Sequence, residues 1–220
     1  MQKGARVVNM EGYEKDRTEF TYDELEAISF PYLETLKIRE GYMVPQTRLI
    51  QFWYGVQKLT NFKSIAEIGF NAGHSSNLLL TLFPNLKVHS YDIGLHDYTE
   101  PNAVLTKELF GDRFNFTKID SLTMTVEDFP KDLDVVFVDG GHSVECAKND
   151  LALCHQLKVP FIVLDDTDTD TVDSAFRKFN DDTEGVYSIV NYCRYFPRQG
   201  RAKTENHNAK VSLFQRSENK

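Results

Sequence analysis

From residue 64 onward, short apolar runs alternate with stretches whose apolar positions recur at helical spacing. The runs Ser64–Ile68, Lys87–Tyr91, Phe114–Ile119, Asp134–Val138 and Phe161–Leu164 read as strands. Between them, Ser75–Phe83, Ala103–Phe110, Val144–Leu157 and Val172–Phe179 read as helices. Such alternation implies right-handed crossovers and a mostly parallel sheet covered on both faces. Two last runs, Tyr187–Tyr192 and Val211–Phe214, have no helix between them and predict an antiparallel hairpin at one edge.

Upstream the pattern is different. Residues 1–20 are polar and charge-dense and read as a loose arm. Thr21-Tyr22-Asp23-Glu24 has the form of a helix start, and the helix it opens would carry Leu25, Ile28 and Leu33 until Pro31 kinks or ends it. A second helix is expected from Pro45, with Leu49, Ile50, Trp53, Val56 and Leu59 on one buried face. The expected architecture is α/β: a doubly wound, mostly parallel seven-stranded Rossmann-like sheet with an antiparallel edge hairpin and a helical N-terminal extension. Residues 1–44 form the arm and helical cap, and residues 45–220 the main domain.

Composition narrows the class. The 220 residues carry 25 Lys+Arg against 33 Asp+Glu, a net charge of −8, which disfavours a general grip on nucleic acid or on an anionic membrane. A hydrophobic fraction of 41% excludes a disordered chain. No apolar run reaches the roughly 18–20 residues of a membrane span, and MQKGARVVNM lacks a signal peptide's apolar stretch. Cys146, Cys154 and Cys193 are odd in number and form no C-x-x-C pair, so a reducing, cytoplasmic setting without a zinc ribbon is expected.

In doubly wound sheets ligands sit beyond the carboxyl ends of the strands, so the residues just after each strand carry the chemistry. The first strand leads into Glu67-Ile68-Gly69-Phe70-Asn71-Ala72-Gly73-His74-Ser75. Two glycines four apart let the backbone pass close under a ligand or simply make an ordinary turn. Asn71 stands where a dinucleotide fingerprint needs glycine, and no P-loop occurs, so neither nicotinamide binding nor a phosphate cradle is supported. Asp92 ends the second strand, where a carboxylate accepts hydrogen bonds from a ribose diol. Asp120-Ser121 follows the third strand, either facing an adenine edge or making a common turn.

The fourth strand ends in Asp139-Gly140-Gly141-His142 and the fifth in Asp165-Asp166-Thr167. Neighbouring strand ends would gather three carboxylates, which must protonate or find a cation. Ligation of a hard divalent ion, Mg²⁺ foremost, by Asp139, Asp165 and Asp166 competes with a solvated acidic rim. Downstream, Asp170 or Thr171 would cap the next helix, with Asp173 in its first turn. His142 is placed to act as a general base or to serve as a structural histidine.

This set of motifs, E-I-G-x-x-x-G-H-S, an acid after the second strand, D-S, V-D-G-G-H and L-D-D-T, resembles class I S-adenosylmethionine-dependent methyltransferases. Within them it is most similar to the cation-dependent O-methyltransferases that act on catechols and on sugars, and Gly41-Tyr42-Met43-Val44-Pro45 looks like their segment before the first core helix. The resemblance covers roughly residues 41–192. It implies that Glu67, Gly69 and Gly73 shape the cofactor turn, with Asn71 and Ser75 near the methionine moiety and Met43 and Val44 over the cofactor. Asp92 would hold the ribose, Asp120 and Ser121 the adenine, and Asp139, Asp165 and Asp166 a divalent cation. His142 stands where the catechol enzymes have a lysine base and Asp166 where they have Asn, which is closer to the sugar-modifying branch. Either His142 or Asp139 would be the base.

The implied reaction is methylation of a hydroxyl on a small polar molecule such as a sugar or nucleotide-sugar. A non-catalytic nucleotide-binding module and a metal-dependent hydroxylase-like protein stay open as alternatives. Residues 194–210 carry Arg194, Arg198, Arg201, Lys203 and Lys210 against Glu205 alone, either a solvated loop or a clamp for an anionic substrate group.

Overall fold

The computed structural model describes residues 47–195 and 209–217. The N-terminal arm, the helix expected near residues 21–33, Met43, Val44 and most of the basic stretch lie outside the described residues. The elements run α1 (Thr47–Thr60), β1 (Ser64–Ile68), α2 (His74–Leu82), β2 (Lys87–Asp92), α3 (Thr99–Phe110) and β3 (Phe114–Lys118). They continue as β4 (Val135–Val138), α4 (Val144–Leu157), β5 (Phe161–Leu164), α5 (Asp170–Asp182), β6 (Tyr187–Tyr195) and β7 (Ala209–Arg216).

The seven strands form one sheet in the order β3-β2-β1-β4-β5-β7-β6. β1 pairs in parallel with both β2 and β4, and β4 with β5, whereas β7 lies antiparallel between β5 and β6. The expected doubly wound sheet and edge hairpin are therefore present. The chain turns to β2 on one side of β1 and later to β4 on the other, so strand order reverses there and a crevice opens above the two strand ends.

Side-chain alternation builds a core on each face. Val135 and Phe137 of β4 and Val163 of β5 join the cluster beneath α1 and α2. Val136 and Val138, with Ile162 and Leu164, join the cluster beneath α4 and α5. In α1, Leu49, Ile50, Phe52, Trp53 and Val56 are buried. Leu59, expected on the same face, is 57% exposed, because the last turn of the helix runs past the edge of the cluster. Trp53 sits edge-on to Phe52, Phe62 and Phe137, with ring centroids 5.7, 6.3 and 5.4 Å away. Helix and sheet are joined there by one aromatic nest.

Two helix starts differ from expectation. α3 begins at Thr99, four residues before Ala103; Pro101 falls in its first turn, where a missing N–H removes no helical hydrogen bond. α5 is capped by Thr169, whose hydroxyl accepts from the Val172 N–H at 3.4 Å, while Asp170 and Asp173 both lie in its first turn. Thr169 itself donates to the Asp166 carbonyl at 2.9 Å, so the cap moves one residue upstream to bind the turn after β5.

No helix among the described residues is long and apolar enough to cross a membrane. Replacing Trp53 by Ala should remove the contact that joins α1 to β4 and cost about 3–5 kcal/mol. Urea denaturation of wild type and W53A provides the comparison.

Candidate active site

Backbone hydrogen bonds bring four strand ends to one level. The Gly69 N–H donates to the Tyr91 carbonyl at 2.8 Å, Asp139 N–H to Ile68 at 2.9 Å, and Asp165 N–H to Val138 at 3.0 Å. The turns after β2, β1, β4 and β5 thus form a continuous rim. At its centre a Cβ added to Gly69 would lie 2.0 Å from the Asp139 carbonyl oxygen and 2.9 Å from Gly140 Cα. Only glycine fits, and its φ of +100° is one that side chains resist. Gly73 is needed for a similar reason: its Cβ would meet the Phe70 ring at 2.4 Å. Phe70 itself turns down into the core against Phe114 and Phe116, so the bend is not plugged from within.

Glu67, on the face below this turn, is fully buried and accepts hydrogen bonds from the hydroxyls of Ser75, Ser76 and Ser90, the last at 2.6 Å. Burial pushes its carboxyl up to about 6, the three hydroxyls offsetting part of that. Glu67 thereby fastens β1 to the first turn of α2 and to β2. Ser75 is only 6% exposed and spends its hydroxyl on Glu67.

Asp92 closes the near side. Its Oδ2 accepts from the Asn71 N–H at 2.8 Å and its Oδ1 from the Gly94 N–H at 2.7 Å. Each oxygen keeps a further lone pair, so the oriented carboxylate can still accept from a vicinal diol. Beyond β3, Asp120 caps a single 3₁₀ turn through Leu122 N–H at 3.0 Å, and Ser121 accepts at its carbonyl from Asn149 Nδ2 at 2.6 Å. Two exposed apolar side chains stand at the same rim, Ile93 directly after Asp92 and Leu122 directly after Ser121. They suit the flat faces of a nucleobase. Sequence reading passed over both, although an apolar residue directly after a strand-end acid was a usable signal.

On the far side, Asp139, His142 and Asp166 offer ligand atoms all within 4.8 Å of one another. His142 Nε2 lies 3.0 Å from Asp166 Oδ2. The set differs from the three carboxylates expected, because its third donor is the imidazole and Asp165 lies outside it. Successive side chains at a strand end point to opposite sides. Asp166 escapes this alternation by adopting φ +51°, while Asp165 stays 7% exposed against the sheet. Asp165 still acts on the site: the Asp139 carboxyl is held well above the usual carboxylate range by burial first and then by Asp165, Asp166 and Glu67. Crowded, desolvated acids of this kind gain from a cation, and two carboxylates with an imidazole suit Mn²⁺ as well as Mg²⁺.

Sequence reading also missed Asp150. It is fully buried on α4, with Oδ2 3.1 Å from where a Gly140 side chain would begin, and neither oxygen makes a hydrogen bond of normal geometry. Burial pushes its carboxyl up to about 6, although Ser121 and Asn149 stand close enough to favour the ionised form. An acid eight residues beyond the nearest motif carries no sequence signal of burial.

Residues 66–167 match the profile of a family described as a methyltransferase domain. A Klebsiella pneumoniae protein named as a candidate O-methyltransferase has the same fold at 14% identity, with 93% of this chain and 91% of that one covered and a TM-score of 0.60. The SAH-bound Podospora anserina methyltransferase PaMTH1 is 11% identical over 89% of this chain and 93% of its own, also at 0.60. The O-methyltransferase TomG from Streptomyces achromogenes, involved in tomaymycin synthesis and solved with SAM, is 16% identical over 93% and 92%, at 0.55. No curated protein matches the sequence. The resemblance drawn from the motifs agrees with the profile and with the fold.

Asp150 makes stability depend on pH in a definite direction. Its native pKa lies above the ordinary 3.8, so the native state holds the proton more tightly and the benefit is lost as pH rises from about 4 through 6. Between those limits the wild type should lose on the order of 3 kcal/mol relative to Asp150→Asn. Urea titrations of both proteins at pH 4, 5, 6 and 7.5 measure the difference.

Proposed function

We propose that the chain, whose residues 66–167 match a methyltransferase-domain profile, is a class I, S-adenosylmethionine-dependent methyltransferase that methylates a hydroxyl on a small polar molecule with the help of a divalent cation. The observation that carries this reading is the shared rim. The Gly69–Gly73 turn and Asp92 stand on one side of the β1–β4 crevice, and Asp139, His142 and Asp166 on the other.

Asp92 would accept from the ribose hydroxyls, while Asp120 and Ser121 would meet the adenine edge between Ile93 and Leu122. Gly69 and Gly73 keep the floor low enough for the sulfonium arm, and Glu67 supports that floor from below. Met43 and Val44 would close over the cofactor from the segment before α1. When bound, S-adenosylmethionine supplies a methyl group activated for in-line displacement by a nucleophilic oxygen. Asp139, Asp166 and His142 would hold the cation, whose chemistry there is to orient the acceptor hydroxyl and lower its pKa. With the cation on the two carboxylates, the half-exposed His142 can instead take the acceptor's proton. Asp166 Oδ2, 3.0 Å from Nε2, then orients the ring.

Oxygen is favoured over nitrogen as the acceptor because a neutral hydroxyl is a poor nucleophile and needs a base or cation beside it, which this rim offers. The [ND]-P-P-[YF] signature of amino-group methylation is absent, and TomG and the Klebsiella protein are both described as O-methyltransferases.

The acceptor would carry an anionic group, as a nucleotide-sugar does. Lys210, the last cation of that basic stretch, lies in β7 beside the acidic turn, where Thr167 N–H and hydroxyl both donate to its carbonyl at 2.9 Å and its N–H donates to Asp168 Oδ1 at 3.1 Å. The protein would work in the cytoplasm on this small molecule, without nucleic acid or membrane as partner; Cys146 and Cys154 are free thiols.

Calorimetric titration with S-adenosylhomocysteine should give saturable binding that Asp92→Ala weakens by about tenfold or more. Absence of binding by the wild type would remove the methyl-donor reading. Asp139→Ala and Asp166→Ala should each abolish Mn²⁺ uptake, followed by the electron paramagnetic resonance of the free ion, while affinity for S-adenosylhomocysteine stays within about twofold. Unchanged Mn²⁺ uptake would sink the cation's part. Neutralising Arg198 and Arg201 together should weaken binding of a uridine diphosphate sugar, used as an anionic probe, by about tenfold or more; an unchanged affinity discards the clamp.

A further inference from the structure

Asn71 has a backbone N–H and C=O and a side-chain Oδ1 and Nδ2, and the fold commits the N–H and the Oδ1. Its N–H donates to Asp92 Oδ2 at 2.8 Å, and its side-chain Oδ1 accepts from the Tyr98 hydroxyl at 2.8 Å. The Nδ2 amide makes no hydrogen bond among the described residues, and the residue is only half-buried. What Asn71 presents at the crevice is therefore an NH₂ donor. Its backbone, at φ +48°, is in the left-handed region that asparagine tolerates better than most residues.

Tyr98 is itself held. It occupies the N-cap position of α3, and the His96 ring stacks on it with centroids 4.8 Å apart and planes 5° from parallel. One turn later, Asn102 Nδ2 donates to the Ala72 carbonyl at 3.1 Å, tying the same helix to the same glycine turn. A phenol is a better donor than acceptor, so this contact selects the orientation of Asn71 with its carbonyl toward Tyr98 and its amide outward.

A donor is wanted at this place because the neighbouring one is spent. Ser75, also expected near the methionine end of the cofactor, gives its hydroxyl to Glu67 and is nearly buried. The Asn71 amide, at the mouth of the turn that leads into the positive end of α2, suits a carboxylate.

We propose that Tyr98 is a positioning residue that locks the Asn71 amide outward to hold the α-carboxylate of the cofactor's amino-acid arm. It thereby sets affinity for that arm and leaves affinity for the nucleoside unchanged. The inference rests on the S-adenosylmethionine reading above and adds to it which residues discriminate the intact cofactor from its nucleoside fragment.

The test compares two ligands by calorimetry, S-adenosylhomocysteine and 5′-methylthioadenosine, which lacks the amino-acid arm. Tyr98→Phe, which removes only the hydroxyl, should weaken S-adenosylhomocysteine by about tenfold and change 5′-methylthioadenosine by less than about twofold. Asn71→Gly, which keeps the backbone angle accessible, should show the same selectivity, and adding Tyr98→Phe to it should cost nothing more. Equal weakening of both ligands would mean that Tyr98 only supports the turn and Asp92, and would overturn the assignment. So would an unchanged affinity for S-adenosylhomocysteine in Tyr98→Phe. A wild-type protein that binds neither ligand overturns the methyl-donor reading together with it, an outcome distinct from the first two.

Discussion

The close approach of Gly69 to Asp139 is the constraint on which the site depends. The two strands that carry these residues are hydrogen-bonded neighbours, and at their ends the backbones come so near that a single methyl group would overlap a carbonyl oxygen. That contact sets the turn that would cradle a nucleoside directly against the loop that bears the acidic side chains. A donor of a methyl group and a polarised acceptor must meet within a few ångström, and the seam between β1 and β4 supplies that proximity before any ligand arrives. A bulkier residue at position 69 would separate the two halves of the rim even if every polar side chain were kept.

Electrostatics around the seam act in two layers. Below it, Glu67 is an inward-facing brace, satisfied by three serine hydroxyls and linking β1, β2 and α2. Above it, Asp139 carries the cost of being desolvated among other acids, with Asp165 behind and Asp166 across. The first layer is internally complete. The second gathers three carboxyls, with the His142 ring 3.0 Å from Asp166. A rim that is structurally finished below and electrostatically unfinished above is suited to receive a positively charged ligand, be it a sulfonium or a metal ion.

Much of this was legible in the chain. Short apolar runs and helical spacings placed all seven strands and the four helices between residues 74 and 182, and the hairpin was marked by the missing helix between its strands. Asp92, Asp120, Asp139, His142 and Asp166 each stand at a strand end or within four residues of one, a position that sequence shows well. The errors have physical sources. Leu59 obeyed helical spacing but lay beyond the end of the cluster that its face would join. The α5 cap fell on Thr169 because its hydroxyl also served the turn after β5. Asp165 and Asp166, adjacent in sequence, cannot be told apart there; in the fold the left-handed backbone at Asp166 sets its carboxylate beside His142, while Asp165 is nearly buried.

By itself the sequence determined whatever depends on near neighbours: which runs are strands, which glycines bend the chain, and which acids stand at strand ends. These follow from periodicity and backbone preference over a few residues. Tertiary structure alone decided which polar atoms are already spent. Ser75 is claimed by Glu67 eight residues away, the Asn71 carbonyl by Tyr98 at a distance of 27, and Asp150 is sealed behind Gly140. A hydrogen bond across such separations is set by how sheet and helices stack, and that packing leaves the Asn71 amide without a hydrogen bond among the described residues.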